Sequence, residues 1–238
     1  MSAWKSKRFW KAAKAVETEG GFTVTLDDRP VKTPAKRALV MPSHAMADAI
    51  AAEWDAQEEE VNPHTMPVTR AANAAIDKVA QQHEEVANLI AAYGDSDLLC
   101  YRADSPAGLV TRQAQAWDPL LDWAHATFGA RLTPTTGLMP KPQKADDLAK
   151  LSREVHAMDA FTLTAFHDLV GLSGSLIIGF AALRDHGDIE TLWQTSRIDE
   201  AWQEEQWGED EEAAKMALAK RDQFFAAKGF HILLQRRR

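Results

Sequence analysis

The chain has 238 residues and a formal net charge of −8, which allows one large domain or two small ones and argues against general nucleic-acid binding. Its 45% hydrophobic and 26% charged residues are ordinary values for a globular protein. The one cysteine, Cys100, excludes an intramolecular disulfide and fits a reducing compartment. The charge is uneven, because residues 1–40 hold nine Lys or Arg and four Asp or Glu, whereas residues 188–212 hold ten Asp or Glu and one Arg.

The beginning of the chain is typical of a small β-sheet. Apolar side chains at Phe22, Val24 and Leu26 alternate with threonines, which is the period of a half-buried strand. Residues 38–40 can supply a further short strand. We therefore expect a small and mainly antiparallel sheet.

Helical patterns dominate after the sheet. One helix is predicted to begin after Ser43, a suitable N-cap, and a second to run from Val68 until Gly94. A third covers 109–128, with a bend expected at Pro119 because proline lacks the amide proton. Further helices are predicted at 144–158, 160–184, 188–206 and 209–228, and a return strand at 230–234.

These patterns predict an α+β protein with two domains. A small N-terminal domain, residues 1–90, would hold the mainly antiparallel sheet and its helices. An all-α helical domain would follow at residues 91–238. The boundary lies where strands and turns give way to a purely helical pattern.

Residues 196–212 form the most unusual stretch of the sequence. They hold eight carboxylates and one cation, with Trp202 and Trp207 among them. On a helix, like charges four residues apart, such as Glu200 and Glu204, repel by about 0.2–0.5 kcal/mol. Two interpretations follow, a docking face for a basic partner or the solvated face of an acidic protein.

Catalytic and metal-binding patterns are weak. Residues 171–175 almost match the serine-hydrolase elbow Gly-x-Ser-x-Gly, but position 175 is serine and no buried strand is predicted before it. A hydrolase using Ser173 or Cys100, in a site between the two domains, is the alternative function. Cys100 lies in an apolar run, which favours a buried side chain. The eight histidines have no metal-ligand spacing, so we expect no metal.

Two other segments have two interpretations each. Residues 160–183 are apolar and about as long as a membrane span, but their polar side chains favour a central helix of a globular domain. The aromatic and basic residues 4–14 could stack on nucleic acid. Given the overall acidity, we prefer the interpretation that they hold the chain end against the acidic helices.

Six stretches also occur in a recognisable order, namely 8–11 (RFWK), 26–34 (LDDRPVKTP), 52–57 (AEWDAQ), 67–73 (PVTRAAN), 97–102 (DLLCYR) and 207–208 (WG). Together they resemble the assembly-chaperone family for the catalytic sector of F-type ATP synthase, and in particular the members that handle the alpha subunit. The resemblance covers nearly the whole chain.

The resemblance implies a molecular chaperone and not an enzyme. Such a protein would bind the unassembled alpha subunit before it joins beta subunits and would prevent its aggregation, without a cofactor. A small N-terminal α/β domain and a helical C-terminal domain are implied as well. No nucleic acid and no membrane insertion are expected, and the protein would act as a monomer. The absence of a recognisable presequence favours the bacterial cytoplasm, whereas organellar relatives work in the mitochondrial matrix.

The resemblance also indicates where the partner binds. In this family an acidic residue after the Trp-Gly pair matters for function, and the best match here is Glu211. The acidic stretch offers complementary charge for fast encounter, and its tryptophans offer apolar contact surface. We therefore predict that the partner is bound by Glu204, Glu205, Trp207, Glu209, Asp210, Glu211 and Glu212.

Overall fold

The computed structural model of the chain describes residues 7–137 and 141–236. Within these ranges the strands are β1 (Ala13–Thr18), β2 (Gly21–Leu26), β3 (Arg29–Pro30), β4 (Tyr101–Arg102) and β5 (Thr135–Thr136). The helices are α1 (His44–Asp55), α2 (Pro67–Asp77), α3 (His83–Ala91), α4 (Ala107–Phe128), α5 (Ala145–His156), α6 (Ala160–Ser173), α7 (Leu176–Leu183), α8 (Ile189–Ser196), α9 (Ile198–Trp207) and α10 (Glu211–Gln235). The predicted α+β class, with a small antiparallel sheet before a largely helical region, is confirmed.

The N-terminal sheet is antiparallel, as its alternating pattern predicts. Its strands lie in the order β1-β2-β3, and Ala15 pairs with Val24 across the first two. Val24 is buried on one face, but Thr23 on the opposite face is buried as well. The Thr23 hydroxyl donates a hydrogen bond to the carbonyl oxygen of Leu39 at 2.7 Å. This bond satisfies the polar group that burial would otherwise leave unpaired.

Helix α1 begins at the predicted N-cap and packs on this sheet. The Ser43 hydroxyl accepts a hydrogen bond from the Met46 amide at 3.2 Å and donates one to the carbonyl oxygen of Leu233 at 2.7 Å. Met46 and Ile50, which are four residues apart on one face of this helix, are fully buried. The core around them also contains Trp10, Leu26, Val31, Leu39, Met41, Ala47, Ala51, Ala72, Ala165 and Phe230.

The described residues divide into two compact units. The first contains those of 1–83, 159–165 and 229–238, and the second contains those of 84–158 and 166–228. The first unit holds β1–β3 with α1 and α2, and the second holds β4, β5 and most of the helices. The predicted domains, 1–90 and 91–238, stay a prediction, because compactness does not show which segments fold independently.

The segment 160–184 forms two helices, α6 and α7, and not the single helix that its pattern predicts. Gly174 lies between them with a φ of 71°, a left-handed conformation that glycine adopts without strain. Ser175 then caps α7 by accepting a hydrogen bond from the Ile178 amide at 3.0 Å. No helix within the described ranges is both long and apolar enough to cross a bilayer.

Other helix boundaries also differ from the prediction. The segment 188–206 is divided at Arg197, where the Ser196 hydroxyl donates to the Trp193 carbonyl at 2.6 Å and competes with the helical ladder. The return strand predicted at 230–234 is wrong, because α10 continues to Gln235. Phe224, Ala227 and Phe230 form one buried stripe at helical spacing. This packing outweighs the helix cost of the intervening Gly229, about 1 kcal/mol.

The break between α6 and α7 is held by the carboxylate of Asp97, which is fully buried. Its oxygens accept hydrogen bonds from the Leu99 amide at 3.0 Å and from the Ile177 amide at 3.1 Å, and the Ser175 side chain bonds to it as well. The Ile177 amide lies in the first turn of α7, where backbone amides have no acceptor within the helix. Burial raises the pKa of Asp97 to about 6, although the hydrogen bonds lower it.

Replacing Asp97 with alanine should destabilise the fold. Asp97→Ala leaves the buried amides of Leu99 and Ile177 without acceptors, so we expect the free energy of unfolding to fall by about 2–4 kcal/mol in urea denaturation. Asp122→Ala is the control, because Asp122 is 73% exposed and lies 3.8 Å from Arg131; it should change stability by less than about 0.5 kcal/mol. Equal losses for the two variants would contradict the capping role.

The stability lost in Asp97→Ala should also depend on pH. The folded pKa of Asp97, about 6, lies above the ordinary value of 3.8. The protonated carboxyl therefore stabilises the fold fully below about pH 4, and this contribution is lost as the pH rises through about 6. The difference in the free energy of unfolding between wild type and Asp97→Ala should be about 1 kcal/mol larger at about pH 5 than at about pH 7.5.

Candidate functional site

Helix α9, which carries the first half of the acidic stretch, packs on the first turns of α4. The indole of Trp202 lies against Gly108, where an added Cβ atom would stand 2.7 Å from the ring edge. The Arg112 guanidinium lies 5.0 Å from the centroid of the Trp202 ring. It also donates to both oxygens of Glu205, at 2.7 and 2.9 Å. This two-pronged pair is the geometry in which arginine binds carboxylates most strongly.

The Arg112–Glu205 pair changes the titration of both groups. Hydrogen bonds from Arg112 lower the pKa of Glu205, and the bonds to Glu205 raise the pKa of Arg112. Because the folded pKa of Glu205 is depressed, the pair stabilises the fold above the ordinary glutamate pKa, and the stabilisation is lost as the pH falls through the lowered value. Both side chains are partly exposed, so salt screens the attraction.

A second contact fixes the beginning of α9. Gln113 of α4 is only 1% exposed. Its amide nitrogen donates to a carboxylate oxygen of Asp199 at 2.6 Å, while its amide oxygen accepts from the Ala103 backbone at 2.9 Å. One turn further along α4, the Trp117 indole donates to the Thr195 carbonyl at 2.9 Å. Polar contacts therefore join α4 to α9 and to the residues before it.

A groove of about 410 Å³ lies beside this contact, within the second unit. Its lining contains both polar and apolar side chains and is contributed mainly by β4, the first turns of α4 and both ends of α9. The residues that line it include Tyr101, Pro106, Leu109, Asp199, Trp202 and Trp207. Concave surfaces with aromatic walls and a few polar groups are typical of binding sites.

The predicted partner-binding residues form one exposed surface at the end of α9 and the start of α10. Trp207 is 80% exposed, which is unusual for so large an apolar side chain. Within the described ranges, no cation forms an ion pair with Glu204, Glu209, Glu211 or Glu212, and all four are exposed. This surface therefore presents uncompensated negative charge beside an exposed indole.

Two members of the predicted set also have roles within the chain. Glu205 is held by Arg112, as described above. Asp210 caps α10, since one of its oxygens accepts hydrogen bonds from the amides of Glu212 and Ala213, both at 2.9 Å. Acids at a helix start are also favoured by the helix dipole, so part of the acidic cluster is explained by local structure.

The exposed surface continues along the first half of α10. From Glu211 to Gln223 the positions are exposed or only partly buried, and Met216 and Leu218 are 58% and 56% exposed. Arg221, which lies in this half of α10, forms an ion pair with Glu190 of α8. Complete burial begins at Phe224. This half of the helix therefore has little packing of its own.

Three residues that shape the site were not predicted, namely Gly108, Arg112 and Gln113. The signal available in the sequence is weak, because a helix pattern shows which face is apolar but not which helix it meets. Arg112 is a cation opposite an acidic stretch more than 80 residues later, and many cations in the chain have that property. The packing of Trp202 on a glycine depends on three-dimensional contact alone.

The residues of the alternative hydrolase function are buried. Ser173 is 4% exposed, and its hydroxyl donates to the Leu169 carbonyl at 2.6 Å within its own helix. Cys100 is 2% exposed, and burial raises the pKa of its thiol to about 12, which disfavours the reactive thiolate. In the ranges that the structure describes, no three His, Cys, Asp or Glu side chains are arranged to hold a metal ion.

The basic N-terminal segment is bound within the first unit. The Arg8 guanidinium donates to the carbonyl oxygens of Asp55 and Gln57 and lies 5.4 Å from the Trp10 ring centroid. Asp27 accepts hydrogen bonds from the amides of Lys11 and Ala12, which hold the pKa of its carboxyl below the usual value. The expectation that this segment holds the chain end against the acidic helices is therefore not met by Arg8, which instead contacts the end of α1 and the residues that follow it. Residues 4–6 of this segment lie outside the described ranges.

Comparison with known proteins identifies similar chains. The profile of the ATP12 chaperone protein family matches residues 7–125. The mitochondrial protein atp12 of Schizosaccharomyces pombe is 24% identical over 220 residues, which cover 87% of this chain and 75% of that protein. The crystal structure of Atp12 from Paracoccus denitrificans is 47% identical, with a TM-score of 0.95 over 98% of this chain and 100% of that one. An aspartate-to-lysine mutant of the same protein gives the same values.

The contact between Trp202 and Gly108 can be tested with two glycines in helices. Gly108→Ala places a methyl group against the Trp202 ring, so we expect the free energy of unfolding to fall by about 1 kcal/mol, as for overpacked contacts. Gly171→Ala is the control, because an added Cβ there meets nothing within 4 Å. It should raise stability by about 0.5–1 kcal/mol through helix propensity. Chemical denaturation that gives the same sign for both variants would contradict the packing.

Proposed function

Because the chain belongs to the ATP12 chaperone family, which acts in the assembly of ATP synthase, we propose that it binds the unassembled alpha subunit of the catalytic sector. It shields a surface of the alpha subunit that beta subunits later cover, and so prevents aggregation before assembly. The observation that carries this proposal is the exposed Trp207 among acids that have no cation partner within the described ranges.

Charge and apolar surface support different steps of binding. Uncompensated carboxylates at Glu204, Glu209, Glu211 and Glu212 attract a basic surface and accelerate encounter. Trp207, with Met216 and Leu218 further along α10, supplies apolar area that can cover exposed apolar surface on an unassembled subunit. Aromatic anchors surrounded by polar groups are typical of the centre of a protein interface.

The chaperone family implies a protein that is not an enzyme, and the buried positions of Ser173 and Cys100 count against the hydrolase alternative. We further propose that one copy of the chain binds one alpha subunit. The 47% identity with the Paracoccus denitrificans protein supports a bacterial member that works in the cytoplasm, whereas the 24% identical relative is a mitochondrial protein.

Binding of separate subunits tests the proposed partner. The tagged chain is incubated with separately expressed alpha and beta subunits, and retained protein is measured. We expect retention of alpha and not of beta, less light scattering from alpha on warming, and a complex whose mass equals one copy of each chain. Retention of beta alone, or of neither subunit, would contradict the proposal.

Charge reversal tests the predicted surface. Glu211→Lys with Glu212→Lys should weaken alpha binding at least about tenfold, because two attractive charges become repulsive. The matched control is Glu84→Lys with Glu85→Lys, which makes the same change at two exposed acids in the first turn of α3. The control should bind alpha as the wild type does. If both double variants weaken binding equally, net charge and not this surface is responsible.

A further inference from the structure

We propose that the groove beside α9 binds an arginine side chain within an extended segment of the partner, with Asp199 as its counter-ion and Trp207 as its aromatic wall. The inference rests on the proposed function for the identity of the partner, the alpha subunit. It adds the chemistry that the groove recognises. The balance of charge in the groove, the aromatic groups of α9 and the size of the groove support it.

The charges around the groove leave one carboxylate without a cation. Arg102 lines the groove, but its guanidinium donates to Asp118 at 2.7 Å. Arg112 is neutralised in the same way by Glu205. Asp199 is bonded by the neutral amide of Gln113 through one oxygen, and within the described ranges no cation pairs with it. A cationic side chain that enters the groove therefore meets an uncompensated carboxylate.

Helix α9 already binds one guanidinium by combining an indole with a carboxylate. Arg112 lies over Trp202 and donates to Glu205, which follows Trp202 by three residues. Trp207 is the second indole of the same helix, and no arginine or lysine of the described ranges lies over its ring. It lines the same groove as Asp199. Asp199 and Trp207 lie eight residues apart, about 12 Å along the axis of α9, so the groove offers the carboxylate to a guanidinium and the indole to the rest of the segment that carries it.

Arginine suits this groove better than lysine. Its guanidinium is planar, stacks on aromatic rings and gives up hydration more readily than an ammonium group. The groove of about 410 Å³ is also larger than one guanidinium requires. Tyr101, Pro106 and Leu109 line the remainder and offer apolar contact to neighbouring side chains. Grooves with aromatic walls commonly take extended chain segments, so an arginine flanked by apolar residues is the matching ligand.

Two synthetic peptides test the chemistry of the groove in the full chain. The probes are acetyl-Leu-Arg-Leu-amide and the same peptide with citrulline, which has the shape of arginine without its charge. Indole N–H signals of Trp202 and Trp207, assigned with Trp202→Phe and Trp207→Phe, are followed by NMR during titration. We expect the arginine peptide to shift both signals and the citrulline peptide to bind at least about tenfold more weakly. Equal binding of the two peptides, or binding of neither, would overturn the proposal.

Variants locate the charge that is recognised. Asp199→Asn keeps an oxygen that can accept from Gln113 but removes the negative charge. It should therefore lower the affinity for the arginine peptide at least about tenfold and leave the affinity for the citrulline peptide unchanged. Glu200→Gln is the control, because Glu200 is the next residue of α9, bonds to Arg197 and does not line the groove. It should bind both peptides as the wild type does. An unchanged affinity of Asp199→Asn for the arginine peptide would overturn the assignment.

The peptide test and the subunit test fail independently. If wild-type chain retains alpha subunit but neither peptide shifts the indole signals, the groove assignment is wrong and the proposed function stands. If the arginine peptide binds and alpha is not retained, the groove assignment stands and the partner is wrong. If both hold, Asp199→Asn should also weaken alpha binding, whereas Glu200→Gln should not.

Discussion

The buried amide of Gln113 joins three parts of the second unit. Its oxygen accepts from the backbone after β4, its nitrogen holds Asp199 at the start of α9, and its own helix carries the glycine on which Trp202 packs. An amide supplies both a donor and an acceptor at fixed geometry, which no charged side chain can do. The groove exists because these elements are held at this spacing, so the recognition proposed for it would depend on a residue that is itself 1% exposed.

The motifs that carry the family resemblance prove to be mainly structural. Arg8 binds backbone carbonyls, Asp27 and Asp97 accept backbone amides, and Glu53 accepts the amides of Val68 and Thr69 at the start of α2. A charged side chain that satisfies several backbone groups cannot be exchanged easily, because its loss removes all of these hydrogen bonds. Such residues stabilise the fold of this chain. They do not by themselves identify the surface that meets the partner.

Sequence periodicity predicts the sheet, the fold class and most helices, because alternation and the 3.6-residue period follow from burial of one face. It fails where a local event decides the boundary, as at Gly174, whose left-handed φ ends α6, and at Gly229, where packing of neighbouring aromatic side chains continues α10. For the site, the sequence indicates the exposed acids and Trp207. It does not indicate the groove, because Gly108, Arg112 and Gln113 become significant only through contact with α9.

The uneven burial of α10 has a consequence for its dynamics. Phe224 and Phe230 anchor the second half in packed surroundings, whereas residues 211–220 depend on the Asp210 cap and on their alanines for helical structure. A helix with so little tertiary support is marginal in water. Amide protons in the first half are therefore exposed to deuterium exchange through local fraying, while those in the second half exchange only with larger unfolding events. A bound subunit that covers the first half would slow this exchange and would give up part of its binding free energy to ordering the helix.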